Sequence, residues 1–345
     1  MVNTPKGISC CKDSEELGES PIGVERLTKD LRNSARKLSA GQARYLVDYY
    51  YQMQDDRIRA AGQIRSSDED ESVEWIQYVF KHLAALENRI KSALGIYAGG
   101  HELGEWSQSI TGIGPVLSAA LLAHIDIALT PHAGALHRLA GLDPSIEWIG
   151  REKAKTLVND VVGKGKITAG HLATLSEAAG RTPGSLKKMA LAPKPNGDKP
   201  KKLTKDNLSK ALSRRPWNAK LKVVTWKIGE SFVKQQNATG GEFYGRFYSE
   251  RREIEEAANV SGKNKNKALA KAKVVGRNTE AYKYYSEGLF PPAHTYARAK
   301  RWVVKLFLSH YHHVGYEILH GTPPELPWII AHGGHSDFIP PPNWK

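Results

Sequence analysis

Apolar residues recur at helical spacing through the first third of the chain. The strongest pattern is a heptad repeat, formed by Ile76, Leu83, Ile90 and Tyr97 together with Val79, Leu86 and Ala93. Residues spaced in this way make one stripe along a helix, and a second helix must cover it. Gly99 and Gly100 end the pattern. Residues 27–100 therefore predict a helical hairpin or a coiled coil, and a homodimer formed through residues 27–98 would bury the stripe equally well.

The next stretch, residues 106–151, combines two short apolar helices with glycine turns. It reads WSQSITGIGPVLSAALLAHIDIALTPHAGALHRLAGLDPSIEWIGR. Gly112 and Gly114 permit a sharp turn, and Pro115 suits the first turn of the following helix. Backbone N–H groups at such a corner can bind a phosphate oxygen. The pattern predicts a helix–hairpin–helix element that contacts DNA, and an αα-hairpin without a ligand is the alternative.

Apolar residues at helical spacing continue to about residue 320, and a tail rich in proline follows. Residues 291–320 predict one long helix, and no stretch favours a sheet, so we expect an all-α protein. We divide it into a flexible tail (1–26), the hairpin or coiled coil (27–100), the helix-hairpin-helix domain (101–240, with a basic insertion at 152–205) and a basic helical C-terminal region with an extended Pro-rich tail (241–345).

Positive charge is concentrated after residue 105. The chain has 50 Lys and Arg against 36 Asp and Glu, a net charge of +14. Residues 1–105 hold 14 basic and 17 acidic residues, which leaves 36 basic and 19 acidic residues for the remainder. A basic excess confined to one part of a chain is typical of a protein that binds a polyanion, most often nucleic acid.

Cysteine content and hydropathy indicate the compartment. The two cysteines, Cys10 and Cys11, are neighbours, so they neither bridge each other readily nor supply a zinc set. No apolar run reaches the roughly 18 residues of a membrane span, and the first residues are polar. We therefore expect a cytoplasmic protein without a membrane partner.

The segments TGIGPVLSAALLAHI and LHRLAGLDP carry a resemblance to a known family. They are similar to PGIGPVTAAALLAEI and LAAYLGLDP in the C-terminal domain of the DEDD-type insertion-sequence transposases, which include Piv-like invertases and guide-RNA-directed recombinases. The resemblance is strong over Trp106–Pro144 and weaker to about Gln236. It implies a function in DNA transposition or recombination for a mobile element.

The resemblance also implies two chemical groups that can be sought in this chain. One is a set of four acidic residues that bind divalent metal on a ribonuclease-H-like fold. Residues 1–105 show no predicted strands that could carry such a set, so we expect Mg²⁺ to take part only if a partner nuclease supplies its ligands. The other is a serine in a Ser-Gly pair after GLDP. Ile149-Gly150 stands at that place, which leaves Ser145 as the candidate catalytic residue. The sequence therefore leaves open whether the chain is an active transposase or recombinase.

We predict a transposase-like protein that binds the DNA backbone. Its expected DNA-binding residues are Thr111, Gly112, Ile113, Gly114, Pro115, Arg138, Arg151, Lys153, Lys187, Lys188, Arg214, Arg215, Arg298, Lys300 and Arg301. One alternative is an active serine-dependent recombinase that needs a partner nuclease. Others are a protein that binds structured RNA and a structural protein of a phage.

Two weaker patterns concern the insertion and the histidines. The segment LSEAAGRTPGSLKKMA resembles a helix-turn-helix, in which Arg181, Lys187 and Lys188 could contact phosphates; a plain surface helix pair would give the same pattern. His310, His313, His332 and His335 could form a metal site. Polar core contacts explain them more simply, so we assign no metal and no cofactor.

Overall fold

The computed structural model describes residues 26–68, 73–145, 148–193, 200–238, 242–326 and 338–344. Within these ranges the chain forms α-helices and one 3₁₀ turn but no strand, which confirms the all-α prediction. The chain divides into two compact units, residues 1–108 with 114–124 and residues 109–113 with 125–345. Nearly all of the predicted flexible tail lies outside the described residues, as do residues 327–337 of the Pro-rich tail.

The first unit is built around a helical hairpin. Its helices are α1 (Lys29–Arg36), α2 (Ala40–Ser66), α3 (Glu74–Ala98), α4 (Glu102–Gln108) and α5 (Pro115–His124). A capping box formed by Ser39 and Gln42 begins α2, because the two side chains satisfy amides that have no partner within the helix. Helices α2 and α3 pack along each other, and α5 packs on both.

Burial along α3 is uneven. Ile90 and Tyr97, two heptad positions in its second half, are buried, and α3 packs on α2 and α5. In its first half Trp75 is 78% exposed and Val79 is 46% exposed. The hairpin therefore covers only part of the predicted stripe.

A close approach between backbones joins α4 to the rest of this unit. A Cβ atom built on Gly104 would lie 2.1 Å from the carbonyl oxygen of Ala98, so only glycine fits there. The buried hydroxyls of Ser107 and Ser118 lie 2.6 Å apart and share a hydrogen bond, and both lie within hydrogen-bond distance of the carbonyl oxygen of Gly104. These contacts fix the start of α4 against α5.

The second unit is organised around its longest helix. Its helices are α6 (Ala133–Leu139), α7 (Arg151–Val162), α8 (Ala169–Ala178), α9 (Pro183–Leu191), α10 (Lys205–Leu212), α11 (Ala219–Lys234), α12 (Glu242–Val260), α13 (Lys265–Ala272), α14 (Glu280–Ser286) and α15 (Pro292–His320). The prediction of a long helix over residues 291–320 is confirmed. Helix α15 packs against α6, α11 and α12, with Phe232, Tyr244 and Phe307 in contact at the centre.

Helices α7 to α10 form a small bundle with a core of its own. Its buried residues include Val158, Leu175, Leu186 and Leu208. Helix α10 packs on α7 and α9, and α8 packs on α7 and α9. None of the helices in the described ranges combines the length and the apolar content needed to cross a bilayer.

Candidate nucleic-acid interface

The predicted glycine corner has one buried side and one exposed side. In the second unit, Gly112 has a φ of 95°, and its carbonyl accepts a hydrogen bond of 2.7 Å from the hydroxyl of Ser231 on α11. Ile113 is buried, and its N–H donates to the carbonyl of Ile110. The Ile113 amide is therefore already used within the turn, whereas Thr111 and Gly112 keep part of their surface exposed.

The next two residues belong to the first unit, where Gly114 precedes α5 and Pro115 begins it. Gly114 is exposed, and a Cβ atom built on it would have no neighbour within 4 Å. Its carbonyl accepts the N–H of Ser118. Gly114 is thus the part of the corner where a phosphate oxygen could approach most freely.

The GLDP segment forms a tight turn at the end of α6. The N–H groups of Gly141 and Leu142 donate to the carbonyls of Arg138 and His137, which is the Schellman arrangement that ends a helix with a left-handed residue. Gly141 has a φ of 68°, and a Cβ atom there would lie 2.8 Å from the ring of Trp217. The turn is therefore held against the start of α11.

Asp143 and Ser145 complete this turn. The backbone N–H and the hydroxyl of Ser145 both donate to Oδ1 of Asp143, at 2.9 and 2.7 Å. These two hydrogen bonds hold the pKa of Asp143 below its ordinary value, and Arg138 and Lys305 lower it further. Asp143 is therefore an ionised acceptor that fixes the turn, and Ser145 presents an exposed hydroxyl beside it.

Basic residues from four elements meet around this turn. Burial lowers the pKa of Lys305, with Asp143 opposing and Arg301 adding to the effect. Burial also lowers the pKa of Lys222, and Arg215 and Arg301 lower it further. Charged groups that shift one another's pKa values lie in the same neighbourhood of the protein, because such interactions weaken with distance. We call these residues the cationic cluster: Arg138, Arg215, Lys222, Arg301 and Lys305.

Aromatic rings orient two members of the cationic cluster. The Lys222 ammonium lies 4.2 Å from the ring centre of Trp217, and the Arg215 guanidinium lies 5.3 Å from that of Trp148. Trp148 is 45% exposed, and its indole N–H donates to the carbonyl of Ser213. Cation–π contacts restrict where these long side chains can go, so the cluster is partly preorganised.

Two predicted DNA ligands on α15 are committed to ion pairs instead. Arg298 Nε lies 2.5 Å from a carboxylate oxygen of Glu255, which also pairs with Arg251 at 2.6 Å. Lys300 pairs with Glu230. Arg298 and Lys300 therefore contribute less free positive charge than the sequence alone indicates, whereas Arg301 remains exposed.

The remaining predicted ligands lie on or beside the α7–α10 bundle. Arg151 and Lys153 are exposed on α7, Lys187 and Lys188 are exposed on α9, and Arg214 is exposed after α10. The structure thus brings Arg138, Arg215 and Arg301 together in the cationic cluster. Sequence reasoning did not assign Lys222 or Lys305 to the site, since their only signal was membership of basic helices.

The histidines of α15 have partners within the protein. His310 engages both ring nitrogens, Nδ1 with the hydroxyl of Tyr244 and Nε2 with the carbonyl of Ile339, each at 2.8 Å. Burial lowers its pKa to about 4. His332 and His335 lie outside the described residues. Because His310 has no free nitrogen, the hypothesis of a site with four histidines loses one of its ligands.

One comparison with known proteins gives a match. Residues 106–169 match the model of the Transposase IS116/IS110/IS902 family. The matched range begins within α4, includes the GLDP turn and ends at the first residue of α8. No curated protein and no solved structure matches the chain. The match supports a transposase-like function for a mobile element.

Proposed function

We propose that this protein binds DNA through the sugar–phosphate backbone, as part of the transposition or recombination of a mobile element. The observation that carries the proposal is the cationic cluster beside the GLDP turn. The turn and Arg138 lie in the segment that matches the family, and the other four cations come from later parts of the chain. The exposed backbone at Gly114 is a further candidate contact. Binding of this kind is strongly dependent on salt and only weakly dependent on sequence.

The electrostatics of the cluster favour a polyanionic partner. Burial and neighbouring cations lower the pKa values of Lys222 and Lys305, so their charged forms are held at a cost in free energy. A phosphate group placed among them would supply the opposite charge and offset the repulsion between the cations. Asp143 already opposes part of it at Lys305.

The proposal is tested by measuring the affinity for a labelled DNA duplex over a series of salt concentrations. We expect the variant Arg138→Ala/Arg215→Ala/Arg301→Ala to bind at least 10-fold more weakly near 0.1 M salt and to reduce the salt slope by roughly 3, because each phosphate contact contributes about 0.9. All three side chains are exposed, so the helix content should not change.

The matched control removes the same charge elsewhere. Arg59, Lys155 and Lys210 are exposed and paired with Asp56, Glu152 and Asp206. The triple alanine variant at these positions should bind within 2-fold of the unmodified protein. An equal loss in both triple variants would mean that net charge alone drives binding. Retention that ribonuclease removes and deoxyribonuclease does not would favour a structured RNA as the partner.

A second candidate function is favoured by the position of Ser145. Its exposed hydroxyl lies in the turn that the cationic cluster surrounds. There its Oγ could attack the phosphorus of a phosphodiester held by those cations, so that an Oγ–phosphorus bond forms, the bond to one bridging oxygen breaks, and that strand end leaves as a hydroxyl after taking up a proton. Such a serine would need a base or a partner nuclease. Incubation with supercoiled DNA, Mg²⁺ and a partner nuclease tests this role. A covalent protein–DNA species that Ser145→Ala abolishes would support this role, and a covalent species that survives the substitution, or none with the unmodified protein, would exclude it.

A further inference from the structure

Helix α8 begins where the family match ends, at residue 169, and α9 follows it in the chain. A turn of residues 179–182 joins them. Gly180 has a φ of 58°, and the N–H groups of Gly180 and Arg181 donate to the carbonyls of Glu177 and Ser176. The Thr182 hydroxyl then accepts the N–H of Ser185 and caps α9. A turn of this length with a glycine between two packed helices is one of the features of a helix-turn-helix.

Helix α9 has one buried face and one bare basic face. Leu186 and Ala190 are buried in the core of the bundle. Gly184 and Lys188, four residues apart, lie on the opposite side and are exposed. Ser185 and Lys187 flank them, and α9 contains no acidic residue. A surface without carboxylates and with little side-chain bulk is suited to a close approach by a polyanion.

We propose that α8 and α9 form a helix-turn-helix in which α9 enters the major groove of DNA and reads its sequence. This inference rests on the proposed function, because it presumes that the chain binds DNA. It adds recognition of the base sequence to the binding of the sugar–phosphate backbone. Lys188 would donate to the acceptor atoms of a guanine, the usual partner of a lysine in the groove. Lys187, at the edge of this face, would contact a phosphate.

The surroundings of α9 agree with this role. A Cβ atom built on Gly184 would have no neighbour within 4 Å, so the helix backbone can approach base edges there. Arg181 is not available as a ligand, because its guanidinium donates to the sulfur of Met189 and to the carbonyl of Arg214. Those contacts instead tie the turn to α9 and to the end of α10.

The shape of α9 favours duplex DNA over duplex RNA. An α-helix with its side chains is about 10–12 Å across, so the major groove of B-form DNA, about 12 Å wide, accommodates α9. The major groove of A-form RNA is too narrow to be read in this way. The proposed partner is therefore a DNA duplex with a defined short sequence.

The experiment selects bound duplexes from a random library with the full chain and then measures affinities for the enriched and for a scrambled duplex. We expect a short motif to be enriched. Lys188→Ala should reduce the preference for that motif by about 10-fold, the worth of one good base contact, while changing the affinity for scrambled DNA by less than 3-fold. Lys187→Ala should weaken both duplexes alike.

The control is Lys210→Ala, an exposed lysine of the same bundle that already pairs with Asp206; it should leave the preference unchanged. Salt-sensitive binding without an enriched motif would overturn the inference and leave the proposed function standing. A motif whose preference survives Lys188→Ala, or preferential binding of duplex RNA, would also overturn it. Absence of any salt-sensitive nucleic-acid binding would instead remove the proposed function itself.

Discussion

Two glycines in turns, Gly141 and Gly114, differ in whether the structure has room for a side chain. Gly141 has a φ of 68°, and a Cβ atom there would meet the ring of Trp217 at 2.8 Å. At Gly114 the φ is not positive, and the same atom would meet nothing within 4 Å. Gly114 lies in the GIGP segment and Gly141 in the GLDP segment, yet packing requires a glycine only at Gly141.

Gly141→Ala should therefore lower the free energy of unfolding by about 2–4 kcal/mol, through the left-handed backbone and the overlap with Trp217. Denaturant unfolding monitored by circular dichroism measures the change. Gly114→Ala is the matched control and should stay within about 0.5 kcal/mol of the unmodified protein. Equal effects at the two positions would show that the turn after α6 does not need its glycine.

His310 gives the fold a dependence on pH. It is 3% exposed, and burial lowers its pKa from 6.5 to about 4, so the folded state favours the neutral ring. Since the unfolded chain binds the proton more readily, stability is complete above pH 6.5 and falls as the pH drops towards 4. The loss attributable to His310 is roughly 3 kcal/mol.

Urea unfolding at pH 7.5, 6 and 5 measures this loss. His310→Gln should be less stable at pH 7.5, because the bonds to Tyr244 and Ile339 change, but its stability should fall less steeply with acid. His320→Gln, at the exposed end of α15, should keep the slope of the unmodified protein. Equal slopes for all three proteins would contradict a buried neutral His310. Slope that remains comes from the other histidines whose pKa values burial lowers, namely His137, His294, His312 and His313.

At the scale of elements, periodicity and glycine turns predicted much of the fold. The heptad stripe indicated α3, and Gly99, its C-cap, ends that helix as expected. Pro115 begins α5 and the long helix α15 lies where predicted. The site was harder to predict, because Arg138, Lys222 and Lys305 come from separate helices. Their meeting depends on how α6 and α11 pack on α15, which no local pattern encodes.

The hairpin contains a buried ion pair that helical periodicity does not reveal. Glu87, 7% exposed, accepts hydrogen bonds from Arg57 at 2.6 Å and from Gln54 at 3.2 Å. Removing Arg57 would leave a buried carboxylate without its cation, which is costly, whereas replacing both charges by apolar groups need not be. The pair therefore specifies the register of α2 on α3 more than it stabilises the hairpin.

Arg57→Met should lower the free energy of unfolding by about 2–4 kcal/mol, and Arg57→Met/Glu87→Met should recover most of that loss. A double-mutant cycle in urea measures both quantities. Arg59→Met, on the exposed pair with Asp56, is the control and should cost about 0.5 kcal/mol or less. A double variant as unstable as Arg57→Met would mean that packing, and not charge burial, explains the effect.

Across the whole molecule, positive charge is concentrated in one part of the chain, whereas exposed apolar side chains occur in both. The chain after residue 105 carries the basic excess and contains the cationic cluster. The acidic first part has exposed apolar side chains on the hairpin, among them Trp75 and Val79 on the same face of α3. Because Val79 belongs to the heptad stripe that the hairpin leaves uncovered, we expect self-association to use the hairpin and nucleic-acid binding to use the basic part of the chain.

The predicted homodimer through residues 27–98 can be tested on that exposed surface. Trp75 and Val79 are four residues apart on α3 and share a face. Trp75→Lys/Val79→Lys places two like charges where two copies would meet, so sedimentation should show a monomer where the unmodified protein is a dimer. Ile254→Lys, at an exposed apolar residue of α12, should leave the dimer intact. A dimer that survives the first substitution would have to be formed elsewhere, and the open half of the heptad stripe would then need another explanation.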